Sequence, residues 1–372
     1  MERIDRISSF IVMDILREAK AIGDVIHMEI GEPDLDPPPS VIEALEKAIK
    51  DRKYFYTPSL GIWELREKIA QHYYIKYRVN ISPHRVVVTT GTSGAFLVAY
   101  SIIMSAGEKI VLPDPSYPCY KNFAHLLDIT PIFLPVDEST SYTINVDMLK
   151  EYKDYKAIHI SSPSNPAGSV YSADTLVSLI RYCDDRGIYF ISDEIYHGLA
   201  YEQEEHTALE FSDKAIVISG FSKWFCMPGF RIGWMILPEE LLQKAEKVIQ
   251  NVFISAPTLS QYAALGAFDY TYLNRVREIF RKRRDFLYEE LRQIFDIPVK
   301  PEGAFYIWAN IERYSEDAFT FCERLLREAK VAVTPGTDFG SYKTKKFIRF
   351  SYTKDKKALE EGLRRLKDYL MK

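Results

Sequence analysis

The run Gly220-Phe221-Ser222-Lys223-Trp224-Phe225-Cys226-Met227-Pro228-Gly229-Phe230-Arg231-Ile232-Gly233 sets one lysine among aromatic residues directly after an apolar stretch, Ala215–Ser219. Taken alone it is a surface turn, because lysines are mostly exposed. What surrounds it decides its meaning. From about Ser40 to Leu237, short apolar runs alternate with longer amphipathic ones. Strands are expected at Arg85–Thr90, Lys109–Leu112, Pro131–Leu134, Ala157–Ile160, Tyr189–Ser192 and Ala215–Ser219, with helices at Gly61–Arg78 and Thr92–Ser105. Ser40-Val41-Ile42-Glu43, after a run of prolines, has the spacing of a capping box and predicts a helix start. The alternation predicts an α/β fold with a mostly parallel sheet and helices on both faces.

After Pro238 the pattern changes. A long helix is expected from Leu259 through Ile294, then short strands at Ala304–Trp308, Val331–Thr334 and Phe347–Ser351. This predicts a smaller α+β domain. The first forty residues are rich in proline and lack a core, so they are expected to pack on the small domain or on a partner subunit.

Bulk properties exclude several classes. A chain of 372 residues suggests two domains. Lys+Arg 48 against Asp+Glu 52 leaves no basic footprint, which argues against nucleic acid as a partner. The cysteines, Cys119, Cys183, Cys226 and Cys322, form no CxxC pair, so no zinc site is expected and a reducing compartment fits. The N-terminus, Met1-Glu2-Arg3-Ile4-Asp5, carries acids early and predicts no secretory signal. Apolar runs are too short for a membrane span. The expectation is a soluble, cytoplasmic protein.

Ligands of open α/β sheets sit at the carboxyl ends of strands. Four such ends carry unusual residues. Gly91-Thr92-Ser93-Gly94-Ala95 lies between strand and helix, where backbone N–H groups can cradle phosphate, although on its own a plain glycine turn is the better explanation. It is neither a Walker A loop nor a GxGxxG fingerprint. Ser162-Pro163-Ser164-Asn165-Pro166-Ala167-Gly168 is a turn that also offers the Asn165 amide to a ligand oxygen. Ser192-Asp193-Glu194-Ile195-Tyr196 places an acid just past a buried strand, costly to bury unless it meets a cation. The lysine run is the fourth. Each residue alone has a bland explanation; the set, in this order, does not.

These motifs resemble those of the class I/II aminotransferases, the fold type I group of pyridoxal-phosphate (PLP) enzymes. The resemblance extends from Glu29-Ile30-Gly31-Glu32-Pro33-Asp34 to Ile348-Arg349-Phe350-Ser351-Tyr352. It implies a mostly parallel seven-stranded sheet sandwiched by helices over residues 40–275, and a small α+β domain of residues 276–372 joined by the arm 1–39. It further implies that Lys223 holds PLP as a Schiff base, that Asp193 pairs with the pyridine nitrogen, and that Tyr196 and Asn165 bond the ring oxygen. Thr92, Ser93, Ser222 and Arg231 would bind the phosphate and Tyr117 would stack on the ring. Arg349 would grip the substrate α-carboxylate, helped by Asn165 and the backbone of Gly31. Lys223, Asp193 and Tyr196 would be the catalytic residues. Tyr56 resembles the tyrosine that reaches the neighbouring subunit's phosphate, which implies a homodimer with shared sites. Two positions depart from the family: Cys226 replaces a small or aliphatic residue, and Gly220 a frequent serine.

The implied activity is transfer of an amino group from an L-α-amino acid (aspartate, alanine or aromatic type) to a 2-oxo acid such as 2-oxoglutarate, by a ping-pong mechanism. Ile7–Met13 is expected to cover the site, where its apolar character suits an apolar or aromatic side chain or, equally, interface packing. A PLP-dependent C–S β-lyase uses the same residues, and a non-catalytic PLP-binding regulator is the third possibility.

Overall fold

The computed structural model describes residues 3–371; Met1 and Glu2 of the N-terminal stretch read above lie outside the described residues. In chain order the strands are β1 (Ile26–His27), β2 (Val86–Thr89), β3 (Lys109–Asp114), β4 (Thr130–Pro135), β5 (Ala157–Ser161) and β6 (Tyr189–Asp193). They continue with β7 (Ile216–Gly220), β8 (Gly233–Ile236), β9 (Tyr306–Asn310), β10 (Val331–Ala332), β11 (Thr334–Pro335) and β12 (Phe347–Ser351).

Seven strands make one sheet in the order β2-β8-β7-β6-β5-β3-β4. β8 runs antiparallel to both its neighbours, and the other pairs are parallel. The six expected strands are present, shifted by a residue or two at their ends. β8 was not expected. It is only four residues long, opens on glycine, and follows the lysine run without a helix between. A strand that short shows no period of its own.

The sheet is covered on both faces, which is why its strands are continuous apolar runs rather than alternating ones. In β2, Val87 faces a core shared with Phe96 and Ala99 of the helix Gly91–Ile103, while Val86 and Val88 join the opposite core with Leu65 and Ile69. Successive strand side chains point to opposite faces, so one valine run serves both layers.

Two expectations fail locally. The helix Pro39–Lys50 has Pro38 at its N-cap and no side-chain cap; the Ser40 hydroxyl instead donates to Gly266 O at 2.6 Å. Proline is pre-organised for the first helical position, so the helix starts two residues earlier than the capping box requires. The long helix expected over 259–294 is two, Thr258–Ala264 and Tyr270–Leu291, the second capped by Asp269, whose carboxylate accepts from Tyr272 N at 3.1 Å. That second helix spans the 275/276 position at which a domain boundary was expected.

The remaining strands form a three-stranded antiparallel sheet, β11-β12-β9, and the parallel pair β1-β10. The expected strand 331–334 is thus two short ones, in different sheets. The N-terminal residues pack on this smaller part: Ala19 of the helix Ile11–Ile22 meets Leu326 and Ala332. Before that helix, the chain is tied to the large sheet's side. Arg6 pairs with Asp128, and Ser8 N donates to Asn122 Oδ1 at 3.1 Å. Residues 7–10 therefore bridge from one part of the molecule to the other. Among the described residues no helix is long and apolar enough to cross a membrane.

Candidate active site

β2, β5, β6 and β7 point their carboxyl ends the same way, and the loops that leave them converge on a cavity of about 150 Å³. Its lining includes Thr92, Asn165, Asp193, Tyr196 and Lys223, joined from elsewhere by Gly31, Tyr117 and Arg349. Residues spread from 31 to 349 thus meet at one place.

Asp193 ends β6 and is 2% exposed. Tyr120 donates its hydroxyl to Oδ2, and Ile195 N donates to Oδ1 at 3.1 Å. Burial pushes its carboxyl up to about 7, against the pull of those hydrogen bonds and of the Lys223 charge. A carboxylate so enclosed gains most from a cation set against it.

Lys223 follows β7, and its Nζ donates to Gly31 O at 2.7 Å. Burial lowers its ammonium from 10.5 to about 8, Arg349 and Arg231 add to the fall, and Glu32 and Asp193 oppose it. An amine that sheds its proton near neutrality is a nucleophile and a base.

Arg349 sits in β12, every residue of which is buried, so the outward-facing alternative is excluded. Its Nη1 donates to Asn165 Oδ1 at 2.9 Å, Nη2 to Glu29 O, and Nε has no hydrogen-bond partner among the described residues. The guanidinium lies 4.1 Å from the Tyr306 ring centroid and 4.7 Å from that of Phe339. Held by two rings and two hydrogen bonds, the planar fork is suited to a carboxylate. With its carbonyl oxygen engaged by Arg349, Asn165 retains its amide N–H groups for a ligand.

A second anion position lies at the start of the helix Gly91–Ile103. Gly91 has φ +63°, and a Cβ there would meet Arg231 Nη2 at 2.7 Å, so only glycine lets the guanidinium approach the first helical turn. Exposed N–H groups, the helix dipole and an arginine together suit a phosphate. Acid, amine, second arginine and anion cradle match the pyridine nitrogen, aldehyde, substrate carboxylate and phosphate ends that PLP chemistry brings, so the residues present fit that group.

Not every expected residue reaches the cavity. Ser93 is exposed, and Ser222 and Arg231 lie outside the lining. Tyr56 is 81% exposed and does not line the cavity.

The roof is apolar, as the stretch 7–13 suggested. Phe10, Val12, Met13 and Ile30 close the cavity, and Phe10 meets the Tyr117 ring edge-on at 6.0 Å. Asp338 fixes this arm: its carboxylate accepts from Ile11 N at 3.2 Å and Val12 N at 3.4 Å. Sequence reasoning missed Asp338, Tyr120 and Tyr306. Tyr306 bonds Tyr196 hydroxyl to hydroxyl at 2.8 Å. Nothing in the sequence sets these two tyrosines apart from the other 23 of the chain's 25.

The model of aminotransferase class I and II matches residues 23–366. The (5-formylfuran-3-yl)methyl phosphate transaminase of Methanocaldococcus jannaschii is 40% identical, over 100% of this chain and 99% of its own length. The valine–pyruvate aminotransferase of Mycobacterium tuberculosis is 33% identical, over 97% of this chain and 96% of its own. A crystal structure of an aminotransferase from Mycobacterium tuberculosis superposes with a TM-score of 0.94 at 32% identity, covering 98% of this chain and 97% of that one. These relatives are named for transamination, which does not favour the lyase alternative.

Proposed function

Since the chain belongs to the class I and II aminotransferases, whose cofactor is PLP, we propose that Lys223 carries that cofactor and that the donor is an L-α-amino acid of alanine or aromatic type. The carrying observation is the convergence of Lys223, Asp193, Asn165 and Arg349 on one cavity with Tyr196 beside them.

Bound PLP supplies an electron sink for the substrate's Cα. The chain's own residues do the rest. Asp193 would hold the pyridine nitrogen and keep it protonated, and that charge would bring its raised carboxyl down again. Tyr196 and Asn165 would donate to the ring oxygen. Thr92, Ser93, Ser222 and Arg231 would receive the phosphate, and Tyr117 would lie beside the ring. Arg349 holds the α-carboxylate, with Asn165 and the Gly31 backbone beside it. Lys223, as a free amine, would take the proton from Cα. The 2-oxo acid acceptor uses the same grip in reverse, which gives ping-pong kinetics.

Side-chain choice follows from charge. Among the described residues the cavity lining carries three charged groups, Lys223, Arg349 and Asp193, and each already has a task. The substrate side chain is left with Phe10, Val12, Met13 and Ile30, where an unpaired carboxylate loses hydration without compensation. This supports alanine or aromatic donors over aspartate. The relatives carry both kinds of name, valine–pyruvate aminotransferase and aspartate aminotransferase, so the choice rests on the lining alone. A panel of amino donors, read by kcat/KM with ammonia release followed in parallel, tests it. Apolar donors should exceed aspartate by at least about tenfold; a preference for aspartate would remove the proposal.

We also propose a cytoplasmic homodimer of two-domain subunits, divided near residues 40 and 275. Exposed Phe55 and Tyr56, at 68% and 81%, support a partner surface on which Tyr56 meets the other phosphate. Four unpaired cysteines support a reducing compartment. Sedimentation should give a dimer; a monomer with full activity would exclude shared sites.

A further inference from the structure

We propose that Tyr306 is a positioning residue that joins the two ends of the site, its hydroxyl setting the donor strength of Tyr196 and its ring supporting Arg349. The inference rests on the PLP reading above and assigns a task to a residue that reading leaves idle.

Three contacts meet on this one side chain. The Tyr306 hydroxyl lies 2.8 Å from that of Tyr196. Its ring lies beneath the Arg349 guanidinium, with Cζ 4.1 Å from the centroid. A Cβ on Gly31 would fall 1.8 Å from the same hydroxyl, so the glycine that accepts from Lys223 Nζ is also the residue that leaves room for Tyr306. Tyr306 starts β9 and Arg349 lies in β12, its immediate neighbour, with Tyr306 opposite Ser351 and Trp308 opposite Arg349. The sheet register therefore fixes the ring under the guanidinium.

The direction of the hydroxyl pair follows from counting protons. A tyrosine has one O–H to donate. If Tyr196 gives it to the ring oxygen of the cofactor, the 2.8 Å contact can form only with Tyr306 as donor. A hydroxyl that accepts one hydrogen bond donates a stronger one, because the chain polarises. Tyr306 thereby strengthens the bond that stabilises the anionic ring oxygen, and lowers the pH at which the bound cofactor's visible band titrates. The charged and titratable groups that face this pair are Arg349, Lys223, Tyr117 and Asp193, with Arg231 and Glu32 acting on Lys223. A Tyr306→Phe exchange leaves all of them in place.

The hydroxyl and the ring are separable. Tyr306→Phe keeps the ring under Arg349 and removes only the donor. Its expected result is an upward shift of about half a pH unit in the midpoint of the cofactor band, with the dissociation constant for the amino acid nearly unchanged. Tyr306→Leu removes both, and should add a weakening of about three- to tenfold in amino-acid affinity, measured as the half-saturation of the spectral change. A packing role alone would alter thermal stability in both variants and leave the midpoint where it was. An unshifted midpoint in the phenylalanine variant overturns the hydroxyl's task, and equal affinity in the leucine variant overturns the ring's. Failure of wild-type protein to bind PLP at all would instead remove the reading beneath, and the two outcomes cannot be confused.

Discussion

The floor and the roof of the cavity are built by different means. The floor is polar and comes from the ends of parallel strands: Asp193 ends β6, and Asn165 and Lys223 stand on the loops that leave β5 and β7, each fixed by a sheet covered on both faces. The roof is apolar and comes from an arm, Phe10–Met13, that crosses from one part of the molecule to the other. Two backbone N–H groups bonded to Asp338, an Arg6–Asp128 pair and the Ser8–Asn122 contact fasten it. A rigid floor suits chemistry that every substrate shares, since reacting atoms must be held to within a fraction of an ångström. A lightly fastened apolar roof suits the part of the substrate that varies. Changes to the floor should therefore abolish turnover for all donors, and changes to the roof should reorder the donors.

The largest effect belongs to Lys223→Ala. It should cost more than about 10⁴-fold in turnover with every amino acid, because one side chain is both attachment point and base; comparable losses that spare some donors would contradict a common floor. Arg349→Lys comes next. It keeps the charge but not the fork, and should lower kcat/KM by about 10- to 100-fold, mostly through KM and alike for aromatic and aliphatic donors. The pH dependence of cofactor uptake is a milder probe. Because Lys223 is held near 8 by burial, its neutral, reactive fraction grows as pH rises toward that value. The rate of PLP incorporation into cofactor-free protein should climb about tenfold per pH unit below about 8 and level off above it. A plateau displaced to the ordinary lysine range would show that burial does not act on this amine. The smallest change is expected from the roof. Met13→Arg supplies the cation that the apolar wall lacks, and should move the aspartate-to-phenylalanine ratio of kcat/KM by about tenfold toward aspartate, with the cofactor spectrum unchanged.

Floor and roof also differ in how plainly the sequence displays them. Asp193, Asn165 and Lys223 each come within a few residues of a short apolar run, so a local pattern places them at strand ends before any contact is known. Arg349 was harder, since Phe347–Ser351 looks the same whether the arginine faces water or a ligand, and only burial from both sides decides. β8 escaped because four residues carry no period. Tyr120 and Tyr306 escaped for another reason. Their partners, Asp193 and Tyr196, lie 73 and 110 residues away, and nothing local distinguishes a tyrosine that will meet such a partner from one that fills a core. Asp338 is the extreme case: it fastens residues 11 and 12 across more than 320 positions, and reads as an ordinary loop acid. The apolar roof itself was visible as composition, while its aim into the cavity came only with the fold.

The most direct test of the central proposal is reduction of the PLP-loaded protein with borohydride, followed by proteolysis and mass mapping. Borohydride fixes the cofactor to whichever amine carries it. The predicted result is a single pyridoxyl adduct on the peptide containing Lys223, absent from Lys223→Ala. An adduct on any other lysine, or no adduct on wild-type protein that binds PLP, would contradict it.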